Sequence, residues 1–137
     1  MKNAIHLTLP RAVFPLLAGA ALCAACQEPF DKRLEREARD FTEKHCPSEP
    51  EPGTRLDSAT YTPASREYAL WYTLSPDNER TLRDNSTLMR YRLRESVSGN
   101  VAYKELKKQG VTFRFVYRSA ASGRTLYDTR LTKSDYR

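Results

Sequence analysis

The sequence predicts an α+β fold: a two-layer sandwich with helices on one face of a four-stranded antiparallel sheet, in the order α-ββ-αα-ββ. Apolar residues recur at helical spacing in two separated regions. Other stretches, of strand length, alternate between apolar and polar or are apolar on both sides. Short turn-rich gaps join these strands two by two, and hairpins are antiparallel. Helices segregated from such hairpins pack on one face of the sheet.

Phe30, Leu34, Ala38 and Phe41 form one stripe of the first helix. Glu28 and Asp31 sit near its start and Lys44-His45 in its last turn, which suits the helix dipole. Glu35 and Arg39 make an i,i+4 pair on the polar face, and Pro47 stops the helix near Cys46. The segment 47–53 carries Pro47, Pro50, Pro52 and Gly53 and reads as a loop. Strands are expected over 54–62 and 67–74, turned by Pro63-Ala64-Ser65. In the second of them Tyr68, Leu70, Tyr72 and Leu74 alternate with Ala69, Trp71 and Thr73, so both faces are apolar.

Ser75-Pro76-Asp77-Asn78 reads as a break. Leu82, Met89, Leu93 and Val97 then mark a helix that Gly99 terminates. Val101–Gln109 reads as a further helical piece, capped by Asn100 and ended by Gly110. Val111–Arg118 is the clearest strand, with Val111, Phe113, Phe115 and Tyr117 on one face. Ala120–Gly123 is a hairpin turn and Arg124–Thr132 the last strand, followed by a short tail.

The 137 residues hold 23 Lys+Arg and 17 Asp+Glu, a formal charge of +6. A hydrophobic share of 39% with 29% charged residues suits one globular domain rather than a disordered chain or a polytopic membrane protein. Three cysteines and two histidines are too few for a multi-ligand metal cluster, so no cofactor is expected. Ala12–Leu22 is an uncharged apolar run following Lys2 and Arg11, the layout of a signal peptide. It is too short to span a bilayer, which takes about 20 apolar residues. A short N-terminal anchor and an ordinary cleaved signal are the plain alternatives.

Leu22-Cys23-Ala24-Ala25-Cys26 resembles a bacterial lipobox, although Cys23 stands where Leu is usual. The resemblance implies that Cys26 is acylated and becomes the first residue. The expected organisation is then a signal peptide 1–25, a lipidated tether 26–29 and a single domain 30–135. Loss of residues 1–25, with two basic residues and no acid, lowers the charge by two. Stable anchoring takes more than one acyl chain. Gln27, rather than Asp, after Cys26 favours the outer membrane. An exported protein does not normally meet nucleic acid, so membrane lipid, envelope protein complexes and anionic envelope polymers are the expected partners.

Cys46 is read as a small buried hydrophobe, with a disulfide to Cys26 or a reactive thiol as alternatives. Adjacent helical residues point about 100 degrees apart, so His45 is badly placed to activate it. No GxSxG, HExxH, SxxK or phosphate loop occurs. The nearest thing to a binding constellation is the second face of the sheet. Trp71, Arg114, Arg118, Tyr127 and Arg130 are expected to gather there and would suit an anionic sugar or phosphate. The plain alternative is a solvated face with arginines for solubility. Arg90, Arg92 and Arg94 alternate round their helix and read as solvated surface.

Cys46-Pro47, Thr54-Arg55-Leu56-Asp57-Ser58, Trp71-Tyr72-Thr73-Leu74, Gly110-Val111-Thr112 and Phe115-Val116-Tyr117 together resemble a group of small exported bacterial proteins. The likeness runs over 46–135. It implies an envelope protein of this architecture and carries no activity or functional residues. Arg55 and Asp57 are expected to pair on one side of their strand and fix the preceding loop. The expected function is a non-enzymatic, membrane-tethered envelope lipoprotein with a binding or accessory role. The alternative is a binding or inhibitor module for an anionic polymer or a foreign enzyme. An enzyme using Cys46 is the third reading.

Overall fold

The stripe from Phe30 becomes helix α1 (Phe30–His45), which buries Leu34 and Ala38. This computed structural model describes residues 28–137; the signal segment and Cys26 lie outside the described residues. Strand β1 (Ser48–Glu51) follows a cis Cys46-Pro47 bond, and β2 (Thr54–Thr62) and β3 (Glu67–Leu74) form the first hairpin. Helices α2 (Pro76–Asp84) and α3 (Ser86–Gly99), a 3-10 turn (Val101–Tyr103) and α4 (Lys104–Lys108) lead to β4 (Thr112–Ser119) and β5 (Thr125–Leu131).

The fold is α+β, with a five-stranded mixed sheet in the order β1-β2-β3-β4-β5. The four-stranded antiparallel expectation is corrected in two places. The first is β1, inside the proline-rich segment read as a loop. It sits at the sheet edge and pairs with β2 through Ser48 and Glu51, so Pro50 leaves no ladder bond unmade on an inner strand. The second is the central seam, where β3 and β4 run parallel from Glu67↔Thr112 to Leu74↔Ser119. A parallel neighbour needs a long crossover, and everything between Leu74 and Thr112 supplies it. The expected break at Ser75–Asn78 is instead the start of α2: Ser75 is its N-cap, accepting from the Asn78 amide at 3.3 Å, with Pro76 in the first turn.

Alternation along β4 sends Phe113, Phe115 and Tyr117 to the helix-covered face, where they meet Leu70, Leu74, Leu93, Val97 and Leu131. Phe113, Val97 and Leu131 are fully buried, and each contributes roughly 1.5–3 kcal/mol. The tail, expected to be a simple end, adds Tyr136 to this core: its ring meets Phe113 edge-on and its hydroxyl donates to the Val111 carbonyl at 2.7 Å.

Helix α1 closes the edge of β2 beyond the end of β1. The Ala59 amide donates to Thr42 Oγ1 at 2.9 Å, and the same hydroxyl donates to the Ala59 carbonyl at 2.8 Å. One side chain thus satisfies both backbone groups that a neighbouring strand would have met. At the β1–β2 turn, Gly53 adopts φ +79 with Ser75 Oγ and Asn78 Nδ2 packed where a Cβ would stand. Asn78 Nδ2 donates to the Pro52 carbonyl and to Thr54 Oγ1, both at 2.9 Å, tying this turn to α2.

Candidate functional site

The face of the sheet away from the helices carries the residues that the sequence singles out. Register places Trp71, Arg114, Arg118 and Arg130 together there. Tyr127 is the exception: it pairs with Tyr117 and shares that residue's helix-covered face. Alternation along β5 decides its side: Leu131, Thr129 and Tyr127 face the helices, and Arg130 and Asp128 the open face.

The guanidinium groups on this face are largely engaged by acids. Arg114 forms a bidentate pair with Asp128, Nε to Oδ1 at 2.9 Å and Nη2 to Oδ2 at 2.7 Å, and reaches Glu67 at 3.4 Å. Arg130 Nε donates to the other Glu67 oxygen at 2.7 Å. The Arg114 hydrogen bonds hold the Asp128 carboxyl below its usual value. Arg114 and Arg118 lie 5.3 Å and 5.6 Å from the Trp71 ring centroid. This lattice roofs Ala69 and Val116, which are buried although no helix covers them.

The Arg55–Asp57 pair expected from the sequence is present, with Nε 2.6 Å from Oδ1. Its partners differ from the expectation. Asp57 also accepts from Thr73 Oγ1 at 2.5 Å and lies 3.8 Å from Arg118, so it ties β2 to β3 and β4 rather than to the preceding loop. Arg55 and Arg118 edge a shallow hollow of about 360 Å³ beside Ser119 and Gly123.

The larger concavity lies on the opposite face, and the sequence did not point to it. It is an open groove of about 450 Å³ at the Leu74 end of the sheet. Leu70, Tyr72, Phe115 and Tyr117 form its floor, Leu82, Met89, Leu93 and Tyr103 its walls, and Glu51, Asn78 and Arg92 its rim. Tyr72 and Tyr117 stack at 4.8 Å with their planes 9° apart, presenting a flat aromatic bed. Among the described residues the hydroxyls of Tyr72, Tyr103 and Tyr117 have no hydrogen-bond partner, and none is sealed from solvent. Burial pushes Tyr72 up to about 12 and raises Tyr103 and Tyr117, so all three are neutral hydroxyls at physiological pH. An apolar floor set with unpartnered phenols has the chemistry to suit a ligand with large apolar groups and nearby polar acceptors. The available signal was the apolar weight on both faces of 67–74, which marks a strand with contacts on each side.

Arg92 reaches the groove rim, whereas Arg90 clamps the β5 edge, donating to Thr129 Oγ1 at 2.7 Å, the Arg130 carbonyl at 2.8 Å and Asp135 at 2.9 Å. Arg90's contacts correct its reading as plain solvated surface, while Arg92 stays exposed at the rim. Cys46 is half-buried against the core. Burial, then the Asp57 charge, raises its thiol above the usual value, which disfavours the nucleophilic thiolate. The His45 ring lies against Phe41 at 5.3 Å. The alternative of a Cys26 disulfide falls outside the described residues. Among those residues no cluster of metal-ligating side chains occurs, and no helix is long and apolar enough to cross a membrane.

The fold recurs in solved structures. A Pseudomonas aeruginosa protein described as secreted superposes with a TM-score of 0.69 at 17% identity, over 78% of this chain and 92% of its own. The type 2 secretion system pilotin EpsS from Vibrio vulnificus gives 0.53 at 14% identity, over 78% and 91%. The pilotin AspS from Vibrio cholerae gives 0.53 at 17%, over 77% and 94%. At these identities the likeness establishes a shared fold. The chain belongs to the family described as a domain of unknown function, DUF8479, whose model matches residues 29–127. No curated protein matches it by sequence.

Proposed function

We propose that this protein is a non-enzymatic, lipid-anchored accessory protein of the bacterial cell envelope, held at the outer membrane through Cys26, that grips an apolar polypeptide segment of a partner in the groove over Tyr72 and Tyr117. The single observation that carries the reading is the groove itself, with its apolar floor and unpartnered phenols. Those hydroxyls suit a polypeptide, whose carbonyls and polar side chains accept hydrogen bonds beside its apolar ones, better than a bare acyl chain. The pilotin folds support a role in serving a larger envelope assembly. The signal layout and lipobox support the anchor.

The test is a photocrosslinking amino acid placed at Leu82 or Met89 in the groove, or at Thr60 on the open face, in living cells. Groove positions are expected to yield one envelope-fraction adduct whose crosslink maps to an apolar segment. Thr60 is expected to give none, and Met89→Asp to abolish the adduct while the thermal transition persists. Adducts from Thr60 alone would overturn the groove reading.

The alternative, recognition of an anionic polymer, now rests on a smaller area than the sequence suggested. Arg114 and Arg130 are engaged by Glu67 and Asp128, which leaves the hollow between Arg55 and Arg118. Salt-sensitive binding to lipopolysaccharide lost in Arg55→Ala/Arg118→Ala would favour it.

A further inference from the structure

We infer that the end of the domain opposite the groove is a docking surface for anionic phospholipid, contacted through Lys32, Lys108 and Lys133. Three connections bring these residues to one end. Asp31 in the first turn of α1 accepts from Tyr61 Oη at 2.5 Å and from Arg66 Nε at 3.4 Å, which places Lys32 at the β2–β3 turn. The Thr112 amide donates to the Arg66 carbonyl at 3.0 Å, which brings the start of β4, and Lys108 just before it, to the same turn. The Lys133 side chain passes beside Gly110, 3.6 Å from where a Cβ would stand.

Three of the acids near this end are already matched by cations or donors within the fold. Asp31 faces Arg66, Glu67 holds Arg114 and Arg130, and Asp135 binds Arg90 and the Thr132 amide. The Thr132 amide and Arg90 also keep the Asp135 carboxyl below its usual value. Lys32, Lys108 and Lys133 are exposed and, among the described residues, carry no ion-pair partner. Three lysines without an ion-pair partner among the described residues thus gather at this end, without any basic run in the sequence.

The length of the tether supplies the occupant. Five residue steps separate Cys26 from Asp31, an extended reach of at most about 17 Å. A lipid on Cys26 holds this end within about two Debye lengths of the bilayer. The tether is short enough for this end to reach the bilayer surface, and within one Debye length of it an anionic leaflet attracts lysines. The proposal rests on the lipid-anchor reading for this proximity and on the fold for the charge.

The experiment uses the mature protein extracted from membranes and reconstituted into phosphatidylcholine vesicles, with or without phosphatidylglycerol. Lysine acetylation rates are read by peptide mass spectrometry, with Lys44, in the last turn of α1, as reference. On phosphatidylglycerol vesicles Lys32, Lys108 and Lys133 are expected to react about fivefold more slowly than on neutral ones. The difference should vanish in high salt, and Lys44 should not respond. In Lys32→Gln/Lys108→Gln the protection of Lys133 is expected to fall. Equal rates on both vesicles, or protection that neutral lipid also confers, would overturn the proposal. Intact mass separates the two readings. If the purified chain is not acylated the anchor fails, and salt-sensitive flotation of that chain with phosphatidylglycerol vesicles then supports the surface while its absence sinks it.

Discussion

Asp57 is the residue on which three strands converge, and its neighbours explain why a small acid stands at a bulge. It meets Arg55 on its own strand, Thr73 on β3 and Arg118 on β4. Replacing it with Ala leaves the Thr73 hydroxyl without its acceptor and frees both guanidiniums. We expect a loss of about 1–3 kcal/mol, read as a lower urea midpoint at unchanged slope. The groove tyrosines make a different prediction. Burial lifts Tyr72 from 10.0 to about 12 in the folded chain, so its neutral hydroxyl favours the fold fully below pH 10. That contribution is lost as pH rises towards about 12, because the unfolded chain releases protons that the folded chain retains. Alkaline unfolding should therefore begin above pH 10, and Tyr72→Phe/Tyr103→Phe should flatten the decline in midpoint between pH 10 and 12. The open face responds at the other end of the scale. The Asp128 carboxyl is depressed by Arg114, so its contribution is present at neutral pH and lost as pH falls below the ordinary 3.8. In Asp128→Asn that part of the acid dependence should disappear from a pH series of melts.

Helix α1 and the β1–β2 turn show what local sequence encodes and what it leaves out. The stripe Phe30–Leu34–Ala38–Phe41 predicts α1, which buries Leu34 and Ala38 and leaves Phe41 exposed, yet Thr42 carries no sign that it completes a strand edge, because its partner lies seventeen residues away. Thr42→Val keeps the shape and removes the hydroxyl, leaving the Ala59 amide and carbonyl unmet. A loss of about 1–3 kcal/mol is expected in chemical denaturation. Gly53→Ala meets two obstacles, a backbone at φ +79 and Ser75 Oγ 2.6 Å from the new Cβ. It should destabilise by more than about 1 kcal/mol. The elements with clear period, β2 to β5 and the stretch covering α3, were legible to within a residue or two. Strand β1 was not, since Pro47 and Pro50 argue against any strand except one at an edge. Nor was α2, whose Ser-Pro start is at once a turn signal and a helix cap.

At the scale of the whole molecule, the sheet has two ends with different work. Tyr61, Arg66 and the three lysines stand at the end where helix α1 begins, and the groove opens near Leu74 and Tyr117 at the other. Arg114, Arg118 and Arg130 share a face because they alternate on strands joined by a clear hairpin, and Trp71 meets them across the β3–β4 seam. The sequence could not show that Glu67 would occupy Arg114 and Arg130, since that depends on β3 and β4 being neighbours. The groove was hidden for the same reason: Tyr72 and Tyr117 are far apart in the chain and stack only across the central seam.

That seam also sets the order of assembly. The two hairpins close over short loops and can form early, but β4 reaches β3 only after the intervening helices have wrapped back over the sheet. Pairing between distant segments is the slow step in folding. A chain whose crossover is slow to close would expose the inner edges of both hairpins, the kind of unpaired strand edge that favours aggregation.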